Sequence, residues 1–592
     1  MKSFLQWWLK YSYLTALMAT FLLLGCGSGG GGSGSKAVLE DFLGSVEENA
    51  TAGTVIGIIK ILDSGDSPII KMTLKGNGHA TFDVSLTGVL KVAAGASLDY
   101  SIQHEYILTA VASNGAGESN PAKVNIRVLK TATPPPPSSD LLTFRATVPS
   151  NTPADEFVCI IFDDGKPGIK MDNAGTDIWS TDLNQSDLTS TRYKYCRNCE
   201  CDAADEHFSG THWRVLASHP TNPVTDTVAE WRWWTPTLVS KTIQTDAYET
   251  TKPPDMNVSP EFMAGVMTND WWKHAWLESV DTTHQKMVDR LNAKWVQYAP
   301  IPEITRLYPT PEINMTGANG TEDADMIHII QSAHAKGLKV FLNPSPWSFT
   351  EDNSSDDHNQ TWWNAFRDAW RPIMKHYAQM AEDNSVEMIE FKMWPNIDAI
   401  NASEKAKMNT LASDLLTEVK NIYHGKIAVQ AICYDTTKPL LDVHKNGDYI
   451  ATNIWSYYPW HLGNSKDDNV TQIFQHVEDK MDNFLLPCSV NATKPMIIEQ
   501  LSSASYDGAI VGACDDEEGI DSFHEDNASW TLDLQEQADV YEAVMHAMSK
   551  RQWIIGNFAF TYFFWDSIGK DINIRGKPVE DVLKKWYEWM VP

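Results

Sequence analysis

Apolar and polar residues alternate with two different periods along the chain, and the change between them marks its organisation. Over residues 37–130 the apolar positions fall in short runs such as Val55-Ile56-Gly57-Ile58-Ile59, Ile69 to Leu74, Phe82 to Leu90, Tyr106 to Ala112 and Val124 to Leu129. Short runs of this kind, cut by Gly, Asp and Asn turns, predict a β-sandwich. Residues 141–250 are again strand-like, with Leu142 to Val148, Glu156 to Phe162 and Tyr193 to Arg197 as the clearest runs. From 255 to 592 the pattern changes, and β-type runs alternate with stretches of helical period such as Met326, Ile329, Ile330 and Ala333. The strand runs are Phe262 to Met267, Trp295 to Tyr298, Gly337 to Asn343, Val386 to Phe391, Ile427 to Val429, Asp448 to Ile454, Pro495 to Glu499 and Ile554 to Phe564. Strands and helices in alternation predict parallel strands joined by crossover helices, and this number of them predicts a (β/α)8 barrel. The fold class expected is therefore multidomain: two all-β sandwiches followed by an α/β TIM barrel.

Composition narrows the partners. The 592 residues carry 47 Lys plus Arg against 77 Asp plus Glu, a net charge of -30. Nucleic acid is disfavoured, because phosphate binding wants clustered Lys and Arg. The 23 tryptophans, with 19 Tyr and 20 Phe, point instead to flat, hydroxyl-bearing ligands. At the N-terminus Leu14 to Leu24 form a hydrophobic run the length of a signal-peptide core, too short to span a bilayer. It ends Leu23-Leu24-Gly25-Cys26, which resembles a bacterial lipobox. That resemblance implies a signal peptide over 1–25, lipidation at Cys26, and a cell-envelope location with membrane attachment through the lipid. A Gly/Ser tether follows over 26–36, and a Pro-rich linker over 131–140 separates the two sandwiches.

An exported chain meets oxidising conditions, so disulfides are the default reading of its cysteines. A local bridge is expected among Cys196, Cys199 and Cys201, with Cys159 as a further partner. A second bridge is expected between Cys488 and Cys514. Zinc at Cys196-x-x-Cys199-x-Cys201 lacks a fourth ligand at finger spacing, although His207 and His212 are near.

Three resemblances add to this reading. Val46-Glu47-Glu48-Asn49, Gly53-Thr54, Phe82-Asp83-Val84, Thr87-Gly88-Val89-Leu90 and Leu98-Asp99-Tyr100 resemble a bacterial cadherin repeat. The resemblance implies cadherin-mediated contacts and calcium (Ca2+) held by acidic residues, Glu48 and Asp99 matching two of the ligand positions, while Ala112-Ser113-Asn114 departs from the pattern. The second unit is similar to sandwich modules of the starch-binding type, which makes Trp179, Trp213, Trp231, Trp233 and Trp234 candidate sugar platforms. The third unit resembles the glycoside hydrolases of clan A through "AHAKGLKVFLNP", "KPMIIEQ" and "DINIRGKPVEDVLKKWY", the last being similar to the family that includes β-mannanases.

The barrel resemblance implies a retaining hydrolase acting on a β-linked polysaccharide, with no cofactor for catalysis. Glycoside cleavage needs one carboxylate to stabilise an oxocarbenium-like centre and one acid to protonate the leaving oxygen. Glu499, at the end of the seventh strand, matches the nucleophile. Asn343, Trp347, Tyr457 and Trp565, near other strand ends, are candidate substrate contacts. The clan's acid/base falls at the end of the fourth strand, where this chain has Trp394, a departure. Asp398 is the candidate that reaches back over the mouth. Glu390 and Glu303 are the alternatives, and the parity of Glu390 suggests an ion pair with Lys392. A barrel lacking its acid would instead be a carbohydrate-binding or adhesion protein.

Overall fold

A computed structural model describes residues 35–100, 102–130, 141–206, 213–234, 240–268, 272–315, 321–345, 358–393, 402–435, 438–456, 460–512 and 530–591. The chain divides into two compact units, the first closing before residue 140.

In the N-terminal unit, Phe42–Glu47 pairs in parallel with Ala122–Leu129, which pairs antiparallel with Glu105–Asn114 and so reaches Lys71–Lys75. A smaller sheet holds Val55–Ile58, Val89–Val92 and Phe82–Val84. Ala122–Leu129 alternates buried and open positions, sending Val124, Ile126 and Val128 into a core with Leu90, Leu98 and Leu108. That is the sandwich the period-two pattern predicts.

The larger unit is built on a closed parallel barrel of eight strands in sequence order. They are β1 (Met263–Met267), β2 (Trp295–Tyr298), β3 (Lys339–Leu342), β4 (Met388–Phe391), β5 (Lys426–Gln430), β6 (Tyr449–Trp455), β7 (Met496–Ser502) and β8 (Ile554–Phe560). Two boundaries differ from expectation. β7 runs three residues beyond Glu499, while β8 stops at Phe560 rather than Phe564, the chain then turning away from the barrel. Inside the barrel, Met263, Trp295, Phe341, Met388, Ala428, Ala451, Ile497 and Phe558 form an apolar plug. Gly265 makes room for it: a Cβ there would lie 2.3 Å from the Phe558 ring. The outer faces of the strands pack against helices that include Leu277–Leu291, Gln360–Asp383, Leu534–Ser549 and Val579–Met590.

The second sandwich is present too, with Asp172–Gly175, Ile178–Asn184, Leu141–Thr147 and Val224–Thr227 in one sheet and Ile169–Lys170, Val158–Phe162, Arg192–Arg197 and Arg214–Val215 in the other. It is not an independent bead, because it belongs to the same compact unit as the barrel. Ile568, from the segment after β8, is buried in the sandwich core, and Ala203 and Ala204 of the sandwich are buried in the barrel core. Beyond Thr227 the chain straps onto the barrel helices, where Tyr248 Oη donates to Asp539 (2.6 Å) and Lys252 Nζ donates to Trp589 O (2.7 Å).

A buried charge network fastens the join. Glu156 accepts from Arg197 Nη1 (2.6 Å) and from the Asp566 N–H (2.6 Å). Arg197 Nη1 also donates to Asp566 O (3.0 Å), and Asn198 Nδ2 to Phe564 O (2.7 Å). Arg575 Nε donates to Asp566 Oδ1 at 2.7 Å, with Lys286 and Arg290 close behind. Burial alone would raise the Asp566 carboxyl, but Arg575, Lys286 and Arg290 together hold it well below the usual carboxylate range.

Two cysteine bridges form locally, Cys159–Cys199 and Cys196–Cys201, so those sulfurs are not free as zinc ligands. Cys488 does not meet Cys514 as expected. It pairs with Cys433, because the helix Leu486–Ala492 lies over the chain leaving β5, with the two Cα atoms 5.6 Å apart. Cys514 lies outside the described residues.

Removing one member of a buried ion network leaves the others as uncompensated charges, which costs about 3–5 kcal/mol. Asp566→Asn is therefore expected to lower unfolding free energy by about that amount, and sandwich and barrel should unfold in one shared transition in denaturant. A separate, unchanged transition for the barrel would contradict the joint core.

Candidate active site

The site follows from strand parity. Successive side chains of a strand alternate between faces, so the residue two places beyond each plug residue also points inward. On six of the eight strands those residues are polar: Gln297 on β2, Asn343 just past β3, Glu390 on β4, Gln430 on β5, Asn453 on β6 and Glu499 on β7. Six neighbouring strands thus switch from apolar to polar at the second inward position, toward their C-terminal ends. This is the end at which barrels of this kind carry their chemistry.

Glu499 is the hub of this ring. It is completely buried and lies at a register shift in β7, where Thr452 pairs with Ile498 but Asn453 pairs with Gln500. The extra residue is a bulge, a device that re-aims side chains, and Gln500 Nε2 reaches Met267 Sδ on β1 across it. Gln430 Nε2 donates to Glu499 Oε1 at 2.6 Å. Asn343 Nδ2 donates to Oε2 at 3.4 Å, and Lys392 Nζ stands 3.9 Å from the same oxygen. Gln430 is itself fixed, since its backbone oxygen accepts from His444 Nε2 at 2.9 Å while His444 Nδ1 accepts the Leu441 N–H at 2.8 Å. Burial pushes the His444 imidazole down to about 4, so it is neutral and its tautomer is set by these partners.

Glu390 lies one level deeper than Lys392 on β4, as its parity suggests. Lys392 Nζ stands 3.3 Å from Glu390 Oε2, which makes the expected ion pair, but the ammonium is shared with Glu499. Burial and then the Glu499 charge push the Glu390 carboxyl well above its ordinary range, and Lys392 only partly offsets them.

The remaining candidates fall differently. Asn343 is in the site, where its amide supports Glu499 and its Oδ1 has no partner among the described residues. Trp565 is not an open sugar platform: it is 1% exposed, its ring stacked on Phe563 at 4.5 Å and tilted against Trp276. The physical reason is the early end of β8, which sends this segment behind the barrel to meet the sandwich. Trp231 and Trp234 are likewise sandwich core, and Trp213 is covered by Arg192 and Lys194. Glu303 lies in a hairpin beyond β2, paired with Asn314. Trp347, Trp394, Asp398, Tyr457 and Cys26 lie outside the described residues. Among the described residues no helix is long and apolar enough to cross a membrane.

Sequence reasoning missed Gln430, His444 and the shared role of Lys392. The polar switch at the second inward position of β2 to β7 is the signal that could have found the first.

In the N-terminal unit, Glu48 Oε2 accepts the Tyr100 N–H at 3.1 Å, so Glu48 and the Asp99-Tyr100 turn meet at one end. Among the described residues, however, the one cluster of three metal-capable groups is Asp507, Asp533 and Glu536, in the barrel unit.

Comparison with known families matches residues 267–570 to Glycoside Hydrolase Family 113. The chain belongs to that family. It is therefore a glycoside hydrolase, and barrel strands β2 to β8, the polar ring and Glu499 lie inside the matched span. Among solved structures, the chain is similar to a family 113 β-1,4-mannanase at 19% identity, covering 55% of this chain and 98% of that one, with a TM-score of 0.44. It is also similar to the family 113 β-mannanase from Alicyclobacillus acidocaldarius in complex with ManMIm, at 18% identity, 56% and 98% coverage and a TM-score of 0.43. A chicken VE-cadherin EC1-2 structure matches at 28% identity over 16% of this chain and 50% of that chain, with a TM-score of 0.14. No curated protein matches the chain in sequence.

A hydrogen bond to a carboxylate is worth about 1.5–3 kcal/mol, and each 1.36 kcal/mol is about tenfold in rate. Gln430→Met, which keeps the shape and removes the donor, is expected to lower kcat/KM by about 10–150-fold. Its melting temperature should stay close to that of the wild type. A loss below about threefold would show that this contact does not support turnover.

Proposed function

We propose that this family 113 hydrolase cleaves a β-linked, mannan-type polysaccharide with retention of configuration, using Glu499 as nucleophile and Asp398 as acid/base. The observation that carries the reading is the clamped carboxylate of Glu499, the hub of a polar ring at the catalytic end of the barrel. One oxygen is fixed by Gln430 and the other faces Asn343 and Lys392. In the first step a Glu499 oxygen bonds to the anomeric carbon as the glycosidic C–O bond breaks, and the acid's proton passes to the leaving oxygen. In the second, the same residue takes a proton from water, whose oxygen displaces Glu499 and releases the sugar with its original configuration.

Glu390 is unsuited to the acid's role. Its carboxyl shares the buried Lys392 ammonium with Glu499, at 3.3 and 3.9 Å, whereas a retaining acid faces the nucleophile across the scissile bond, about 5–5.5 Å away. The sequence pattern of the clan puts its acid at the position of Trp394, so the acid is assigned to Asp398 in the segment beyond it. The mannan assignment is supported by the sequence resemblance of residues 571–587 to the β-mannanase-containing family. The lipobox-like Leu23 to Cys26 supports a lipid anchor at Cys26 on the cell envelope, and the cadherin-like unit supports a role as stalk or contact module.

The test is release of reducing sugar from mannan and a panel of other neutral β-glycans. Loss of a covalent nucleophile costs several orders of magnitude, on the order of 10³–10⁶ in kcat, so Glu499→Gln is expected to fall that far. Asp398→Asn should lose activity on the polysaccharide while sparing substrates with good leaving groups. Turnover by Glu499→Gln within about tenfold of wild type would overturn the reading.

A further inference from the structure

We infer that Glu390 is a positioning residue that carries a proton beneath Glu499 and donates it as a hydrogen bond to the nucleophile. The inference rests on the assignment of Glu499 as nucleophile and adds a group to that site which the resemblance to clan A does not supply.

The geometry is one of charge balance. Glu390, Lys392 and Glu499 are all buried, and one ammonium stands between two carboxyl groups, 3.3 Å from one and 3.9 Å from the other. With both carboxyls ionised the group carries a net negative charge in a dry interior, which is costly. With one proton kept it is neutral. The hydrogen bonds decide which carboxyl keeps it. Glu499 accepts from Gln430 and Asn343, while among the described residues neither oxygen of Glu390 receives a well-formed hydrogen bond. The charged groups facing Glu390 are Lys392 on its own strand and Glu499 from β7. The neighbouring strands at this level bring only the neutral amides of Asn343 and Gln430. Burial and the Glu499 charge raise the Glu390 carboxyl and outweigh Lys392, in agreement with the geometry.

The consequence concerns the nucleophile. An ionised Glu390 would repel Glu499 and loosen its rotamer. A protonated one offers it a third donor from below, leaving the upper face of Glu499 for the anomeric carbon. Because the folded carboxyl is raised, the proton is held beyond the ordinary carboxylate range and leaves only as pH climbs past the raised value. Activity that depends on this donor is then lost on the alkaline side.

Two readouts test this. The first is the infrared difference spectrum between wild type and Glu390→Gln at neutral pH without substrate. The protonated-carboxyl band of a buried acid is expected in wild type and missing in the variant. Glu390→Met serves the same subtraction if Glu390→Gln does not fold. The second is the pH profile of kcat/KM on 2,4-dinitrophenyl β-mannoside, whose leaving group departs without acid assistance, so the acid/base residue drops out. Glu390→Gln keeps an N–H donor and is expected to retain activity within about tenfold of wild type while losing the alkaline limb. Absence of the infrared band, an unchanged alkaline limb, or a loss as deep as that of Glu499→Gln would each overturn the proposal. The two assignments fail separately: normal turnover of the mannoside by Glu499→Gln would remove the nucleophile reading and with it the functional half of this one. The infrared band, read without substrate, would still report where the proton lies.

Discussion

Two carboxyl groups and one ammonium buried together above an apolar plug impose the constraint on which the catalytic end of this barrel depends. The plug excludes water from below, so Glu499 cannot be solvated and must be held by fixed dipoles. Those are the amides of Gln430 and Asn343, one from each side of β4, with Lys392 supplying the countercharge. Such donors need no reorganisation when charge moves during a reaction, which is why a buried polar ring is a better solvent for this chemistry than water. The same low dielectric makes each unpartnered polar atom expensive. Among the described residues, the fully buried Gln297 finds no protein partner for either side-chain atom.

A second buried charge network plays a different part. Glu156, Arg197, Asp566 and Arg575 join the second sandwich to the segment that leaves β8, and Ile568 and Ala204 exchange between the two cores. The sandwich is therefore part of the enzyme's folding unit. Trp231 and Trp234 are committed to that packing, which is why these two do not present sugar platforms.

Much of the fold was legible in the chain. Period-two alternation marked both sandwiches, and alternating strand and helix periods marked the barrel, because burial on one face or two writes directly into sequence pattern. Glu499 was legible through its place on the seventh strand, and the pairing of Glu390 with Lys392 through simple parity. The rest depended on long-range contacts that no local pattern reports. The Cys433–Cys488 bridge needs the helix after β6 to lie over the end of β5, and the burial of Trp565 needs the sandwich to receive the segment after β8. The support of Gln430 by His444 joins residues whose only link is the packing of a short helix against β5.

The central claim is that Glu499 forms the covalent bond. It is tested most directly by treating the full-length protein with a 2-deoxy-2-fluoro-β-mannosyl fluoride and mapping the labelled peptide by mass spectrometry. The account predicts one added fluoromannosyl group, on Glu499, absent from Glu499→Gln and formed more slowly in Gln430→Met. Label on another carboxylate, or undiminished labelling of Glu499→Gln, would contradict it.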